Sequence, residues 1–213
     1  MRTAIVLAGG RSARFDGQKL AADVEGLSLL ATTISRLAGL VDRLIIAGPE
    51  PVDLRQVRDT TIPIVVIPDA HPFRGPLAAL ANVLGSVSPD SDSLAIVVGG
   101  DMPALVPDVL RMLFERLELD PTIDALVLGR PDGGARSNAA IQVLPLAVRE
   151  GPARAAVLDA LTAGRSSLRS LLDDLAWAEL PSAEWLPLDP QASTLLDVDT
   201  RADLERMRVA KGR

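Results

Sequence analysis

Three loop-like segments and one acidic segment hold the residue types that could handle a phosphorylated ligand. The first, Leu7-Ala8-Gly9-Gly10-Arg11-Ser12-Ala13-Arg14-Phe15-Asp16-Gly17-Gln18-Lys19, follows an apolar run and combines paired glycines with positive charge. Gly9 and Gly10 let backbone N–H groups approach a phosphate, and Arg14 and Lys19 can neutralise it. Lys19 has neither the GxxxxG frame before it nor the Ser or Thr after it that a Walker A loop requires, and the segment is not GxGxxG. Lys19 and Lys211 are the only lysines in this arginine-rich chain. A compact, flexible point charge is therefore used at position 19 where a planar guanidinium fork is otherwise available.

The second segment, Val97-Val98-Gly99-Gly100-Asp101-Met102-Pro103, delivers a carboxylate at the end of an apolar run. A hard cation such as Mg²⁺ is commonly held by one or two carboxylates together with substrate phosphates, which makes Asp101 a candidate anchor. The alternative is a loop aspartate bonded to nearby backbone. In the third segment, Pro68 to Ala78, Gly75 precedes a helix start and Asp69 can accept hydrogen bonds from a purine. The single histidine, His71, lies in this loop and reads as a surface residue rather than a proton-transfer group. Finally, Leu196-Asp197-Val198-Asp199-Thr200 puts Asp197 and Asp199 on one side of an extended segment, with Thr200 a natural N-cap for the helix that follows.

These loops need strands to carry them. Runs at Thr3–Ala8, Leu44–Ala47, Ile62–Ile67, Leu94–Val98, Ala125–Leu128 and Ala139–Val143 read as strands. Helical periodicity marks Leu29–Ala38, Pro76–Leu84, Pro107–Leu117, Ala153–Leu161 and Arg201–Arg208, with Pro76 and Pro107 in tolerated first-turn positions. The strands are apolar throughout rather than alternating, as expected for a parallel sheet covered on both faces. The βαβαβ order predicts a doubly wound α/β sheet, whose ligands sit beyond the carboxyl ends of the strands. Ser182–Ser193 is irregular and reads as a loop. The length of 213 residues and the absence of a repeat or linker predict one domain over residues 1–213.

Composition narrows the chemistry. Without cysteine and with one histidine, the chain has no thiolate nucleophile, disulfide, cysteine-ligated zinc or multi-histidine metal site. A net charge of −6 and 2 % aromatic residues argue against nucleic acid as a partner, so an anionic ligand must be held by local positive charge and backbone N–H groups. No apolar run approaches the roughly 20 residues that span a bilayer. With a strand starting at Thr3 and no secretory pattern, the expectation is a cytoplasmic protein without membrane contact.

Taken in order, LAGGRSARFDGQK, PFRGPLA, GGDMP and DVDTRADL resemble the molybdenum cofactor guanylyltransferase family over residues 3 to about 208. That family lies in a wider group of nucleotidyltransferases that includes molybdopterin cytidylyltransferases and sugar-phosphate nucleotidyltransferases. The resemblance implies a Rossmann-like three-layer α/β/α nucleotidyltransferase fold with a mostly parallel sheet. LAGG in place of LAAG, together with GPLA, resembles the guanine-selective branch. By the same resemblance Leu7, Ala8, Gly9 and Gly10 hold the nucleotide, and Arg14 and Lys19 bind its phosphates. Asp69 and Gly75 lie on the guanine side, while Asp101 holds Mg²⁺, or Mn²⁺ as the alternative, with Asp199 as a further ligand.

The implied reaction is in-line attack by the terminal phosphate of molybdopterin, or of its molybdenum-loaded form, on the α-phosphorus of GTP, with release of pyrophosphate. Such chemistry needs positioning and charge neutralisation rather than a protein nucleophile. Arg136, Ser137 and Asn138 within residues 130–142, or the segment Gly164–Arg169, are the candidates for the second substrate. The resemblance also leaves room for transient contact with a molybdoenzyme or another cofactor-biosynthesis protein.

Two departures qualify it. Asp16 stands where the family has glycine and Gln18 precedes Lys19, which adds negative charge near the expected triphosphate. Asp199 replaces the usual asparagine in a DxDT form that also occurs among cytidylyltransferases. A CTP- or sugar-phosphate-using enzyme of the same fold, and a non-catalytic nucleotide-binding accessory protein, are the competing expectations.

Overall fold

A computed structural model of the chain describes residues 1–9, 19–48, 54, 56–57, 61–68, 74–87, 93–131 and 141–211. Five of the expected apolar runs become the strands β1 (Arg2–Leu7), β4 (Arg43–Gly48), β5 (Ile64–Pro68), β6 (Leu94–Gly99) and β7 (Ala125–Leu128), and two strands not expected from the sequence, β8 (Leu146–Arg149) and β9 (Trp177–Leu180), join them. A two-strand hairpin, β2 (Asp23–Val24) with β3 (Leu27–Ser28), leads into α1 (Leu29–Leu37). The remaining helices are α2 (Pro76–Ser86), α3 (Pro107–Leu119), α4 (Glu150–Thr162), the single-turn α5 (Ser182–Trp185) and α6 (Arg201–Lys211).

The seven strands form one sheet in the order β5-β4-β1-β6-β8-β7-β9. Every pairing is parallel except those of β8, which runs antiparallel to both β6 and β7. From β1 the chain passes through α1 to β4 on one side, and from β5 it returns through α2 to β6 on the other. Right-handed crossovers in opposite directions place α1 and α2 on opposite faces of the sheet, and the reversal makes the carboxyl ends of β1 and β6 the switch point.

Side-chain alternation along the strands feeds both faces. Ala4 and Val6 of β1 pack with Ile34 and Leu37 of α1 and with Val109, Leu113 and Phe114 of α3. Ile5 and Leu7 pack with Leu77, Leu80 and Val83 of α2 and with Ala153 and Val157 of α4. The result is the expected three-layer α/β/α arrangement with a mostly parallel sheet.

Two boundaries differ from expectation. The strand expected over Ala139–Val143 is not formed at residues 141–143, and residues 139–140 lie outside the described ones. Pro145 has no N–H to give a ladder, and the apolar run pairs only after it, as β8. Ser182–Ser193, expected as a loop, starts with α5. Its Trp185 is fully buried and donates its indole N–H to the Gly129 carbonyl at 3.1 Å.

Phe114 is among the largest fully buried side chains, between the sheet and α3. Phe114→Ala is expected to lower the unfolding free energy by about 3–5 kcal/mol in a urea titration. A loss below about 1 kcal/mol contradicts the packing described.

Candidate active site

The site grows from the ends of the two central strands. Leu7 and Gly99 are register partners at the ends of β1 and β6, and Gly100 N–H donates to the Leu7 carbonyl at 3.0 Å. Ala8 N–H donates to Ala47 of β4 at 2.7 Å, so the first loop leaves the sheet at Gly9, which is exposed. A Cβ at Gly99 would lie 2.3 Å from Asp101 Oδ1, so a side chain there would displace the carboxylate. One carboxylate oxygen of Asp101 thus tucks against the strand end. The turn is anchored by buried Met102, whose sulfur accepts from Gly99 N–H at 3.3 Å, and by the Thr33 hydroxyl, 3.1 Å from the Gly100 carbonyl.

Lys19 opens a short 3₁₀ turn, Lys19–Ala21, closed by Ala22 N–H donating to the Lys19 carbonyl at 3.1 Å. Its Nζ donates to Asp101 Oδ2 at 2.7 Å and to Asp199 Oδ1 at 2.8 Å. The lysine side chain is 11 % exposed, against 27 % for Asp101 and 52 % for Asp199. Burial disfavours its charge, but the hydrogen bonds to Asp101 and Asp199 outweigh this and hold its pKa above the ordinary lysine value.

Asp199 is delivered by a fixed strap. Val198 N–H donates to the Asp101 carbonyl at 2.9 Å, and the Val198 side chain is buried with Val24, Leu29 and Leu204. Behind it, Asp203 Oδ2 accepts from Asp199 N–H at 3.1 Å and from Thr200 N–H at 2.7 Å, while Asp203 N–H donates to Thr200 Oγ1 at 3.2 Å. This reciprocal pair starts α6, with Thr200 in the expected capping role. The Thr200 hydroxyl, together with the Thr200 and Asp199 N–H groups and nearby Arg206, holds the Asp203 carboxyl below the usual aspartate value.

Asp197 points to the same region electrostatically. Partial removal from water, then the charges of Asp199 and Asp101, push its carboxyl above the usual aspartate value. It does not complete a three-carboxylate site: among the described residues no group of three or more His, Cys, Asp or Glu is placed to hold a metal ion.

Gly75 immediately precedes α2 with φ of +93°, and a Cβ there meets the Ser166 carbonyl at 2.9 Å, so both conformation and space require glycine. Leu77 N–H, in the first turn of α2, donates to that same carbonyl at 3.4 Å. Within Gly164–Arg169, Arg165 turns back to Ser170 O at 3.1 Å and pairs with Asp173 and Asp174, and Ser167 caps the following 3₁₀ turn. That segment therefore behaves as a capped helix start. Gly10, Arg14, Asp69, His71, Arg136, Ser137 and Asn138 lie outside the described residues.

Of the expected site residues, the structure brings Lys19, Asp101 and Asp199 to one point beside Leu7, Ala8 and Gly9. The direct pairing of Lys19 with both carboxylates, the steric role of Gly99 and the contact between Gly75 and Ser166 were not foreseen from sequence. The run of two glycines before Asp101 was the one available signal among these; nothing in the sequence linked Gly75 to Ser166.

Residues 4–180 match the model of the MobA-like NTP transferase domain. A probable molybdenum cofactor guanylyltransferase of Natronomonas pharaonis is 30 % identical over 97 % of this chain and 96 % of its own length. A molybdenum cofactor guanylyltransferase of Syntrophotalea carbinolica is 28 % identical over 97 % of this chain and 90 % of that protein. Among solved structures, molybdopterin-guanine dinucleotide biosynthesis protein A of Archaeoglobus fulgidus superposes with a TM-score of 0.73 at 20 % identity, covering 100 % of this chain and 99 % of the other. The fold is also shared with 4-diphosphocytidyl-2C-methyl-D-erythritolsynthase of Anaerococcus prevotii, with a TM-score of 0.71 at 14 % identity, covering 100 % and 98 %.

Because Asp203 caps α6 as a carboxylate, its contribution is present above the unfolded aspartate pKa near 4 and is lost as pH falls below it. Asp203→Ala is expected to cost about 1 kcal/mol at pH 7, a deficit that shrinks below about pH 4 when denaturation is followed across pH. A deficit independent of pH contradicts the cap.

Proposed function

The chain belongs to the MobA-like NTP transferase family, and from that premise we propose that it transfers GMP from GTP to the terminal phosphate of molybdopterin, or of its molybdenum-loaded form, at the Lys19–Asp101–Asp199 cluster. The observation that carries the proposal is the convergence of a largely buried lysine and two carboxylates at the β1/β6 switch point, where an open α/β sheet receives its ligands.

The donor set fits a divalent cation. Two carboxylate oxygens from separate segments come within 2.8 Å of one positively charged atom, Lys19 Nζ, which acts as a stand-in for an ion. Asp101 and Asp199 are the residues that would hold Mg²⁺ or Mn²⁺, with phosphate oxygens supplying further ligands. When bound, the cation would offset charge on the phosphates of the nucleotide.

The chain's own residues do the rest by placement. An oxygen of the acceptor phosphate attacks the α-phosphorus in line, the bond to the bridging oxygen of the β-phosphate breaks, and pyrophosphate leaves with that electron pair. Lys19 is the residue to offset the charge gathered on the departing pyrophosphate, joined by Arg14 from the first loop. Backbone N–H groups of Gly9 and Gly10, which follow β1 in sequence, are assigned to the phosphates. Gly75, with Asp69 from the same loop, takes the guanine side. No acid, base or nucleophile of the protein is needed, because both the attacking and the leaving groups are phosphate oxygens.

No helix among the described residues is long and apolar enough to cross a membrane. The proposed setting is the cytoplasm, with GTP and molybdopterin as the partners.

Pyrophosphate release measured with molybdopterin, Mg²⁺ and each of GTP, CTP, ATP and UTP tests this reading. Release is expected with GTP, and Asp101→Asn is expected to lower kcat by roughly 10²-fold or more. Preference for CTP, or full turnover by Asp101→Asn, overturns it.

A further inference from the structure

The structure sets two roles of Lys19 against each other. A residue assigned to the phosphates is found instead bonded to both carboxylates assigned to the metal, at 2.7 and 2.8 Å. Oδ1 of Asp101 lies against the strand end, 2.3 Å from where a Cβ on Gly99 would stand. The other oxygen, Oδ2, is the one that Lys19 holds.

We infer that Lys19 is the counter-cation of Asp101 and Asp199 before nucleotide binds, and that it yields them to a divalent cation arriving with the triphosphate while its own Nζ moves onto the phosphates. The inference rests on the assignment of Asp101 and Asp199 to the metal made above.

The physical grounds are charge and reach. Asp101 and Asp199 sit close enough to share one ammonium, so a cation between them offsets their mutual repulsion. With Lys19 in place the cluster carries a single net negative charge, and a free divalent ion must compete with an ammonium for the same oxygen atoms. A triphosphate changes the balance, because it supplies both further oxygen ligands for the metal and a new anionic partner for Lys19. Lysine suits the exchange and arginine does not: a point charge on a four-carbon arm can leave two carboxylates for a phosphate a few ångströms away, whereas a planar fork fixes its partners in geometry. This gives a physical role to the lysine at position 19 in a chain with only two lysines.

The exchange predicts that metal and nucleotide bind together rather than metal first. Mn²⁺ is the probe, titrated against the full-length chain without nucleotide and read by loss of the free-ion electron paramagnetic resonance signal. Lys19→Met keeps the length of the side chain and removes its charge, so it is expected to bind Mn²⁺ at least tenfold more tightly than the wild type. Lys19→Gln makes the same comparison should the methionine variant fail to fold, with circular dichroism melts as the check on both. Equal Mn²⁺ affinity in wild type and variants, or no Mn²⁺ binding by any of them, overturns the proposal.

In the unaltered protein, ¹³Cε-labelled lysine gives two sites, Lys19 and Lys211. The Lys19 resonance is expected to stay in place with Mg²⁺ alone and to shift when the same Mg²⁺ is added with a non-hydrolysable GTP analogue. A full shift with Mg²⁺ alone, or none with the pair, overturns the exchange. An analogue that does not bind at all overturns the nucleotide reading and with it the second half of the proposal, while the Mn²⁺ comparison separately judges the competition between Lys19 and metal.

Discussion

The bond between one largely buried ammonium and two carboxylates is the constraint on which the rest of this structure depends. Asp101 and Asp199 lie 82 and 180 residues from Lys19 along the chain, yet all three meet at a single nitrogen. Removing Lys19 takes from both carboxylates the cation they share, whereas removing either carboxylate leaves the ammonium paired with the other. Each member is held by local structure: Asp101 by the glycine pair and Met102, Lys19 by its 3₁₀ turn, Asp199 by the Val198 backbone and the Thr200–Asp203 cap.

The sheet topology explains why these segments can meet. Parallel strands deliver successive loops to the same edge, and reversal of winding between β1 and β6 leaves a crevice there that no crossover helix fills. The acidic strap enters that crevice just before α6 and bonds to the Asp101 backbone, so α6 is coupled to the end of β6.

Much of this was legible in the residues themselves. LAGG and GGDMP stood out because apolar runs stop abruptly at glycine and charge, and the strands β1 and β6 followed directly from those runs. The DVDT segment was readable as a cap and as a pair of carboxylates on one side. What sequence could not show was pairing across distance: Lys19 and Asp101 each carried a plausible separate role, and only the fold reveals that they share a proton donor and acceptor. Strand β8 was missed because Pro145 divides its apolar run and the earlier half looked equally strand-like. Strand β9, Trp177–Leu180, is four residues long with a glutamate among them, and the β2–β3 hairpin has two residues per strand, too few for any period to register.

The central claim is that Asp101 and Asp199 form the metal-binding half of a nucleotidyl-transfer site whose phosphates are met by Lys19. A crystal structure with Mn²⁺ and a non-hydrolysable GTP analogue tests it most directly. The account predicts an anomalous Mn²⁺ peak within about 2.2 Å of oxygens from both Asp101 and Asp199, with Lys19 Nζ moved onto phosphate oxygens. Nucleotide bound away from the β1/β6 crevice, or Lys19 still bridging both carboxylates beside a bound triphosphate, would contradict it.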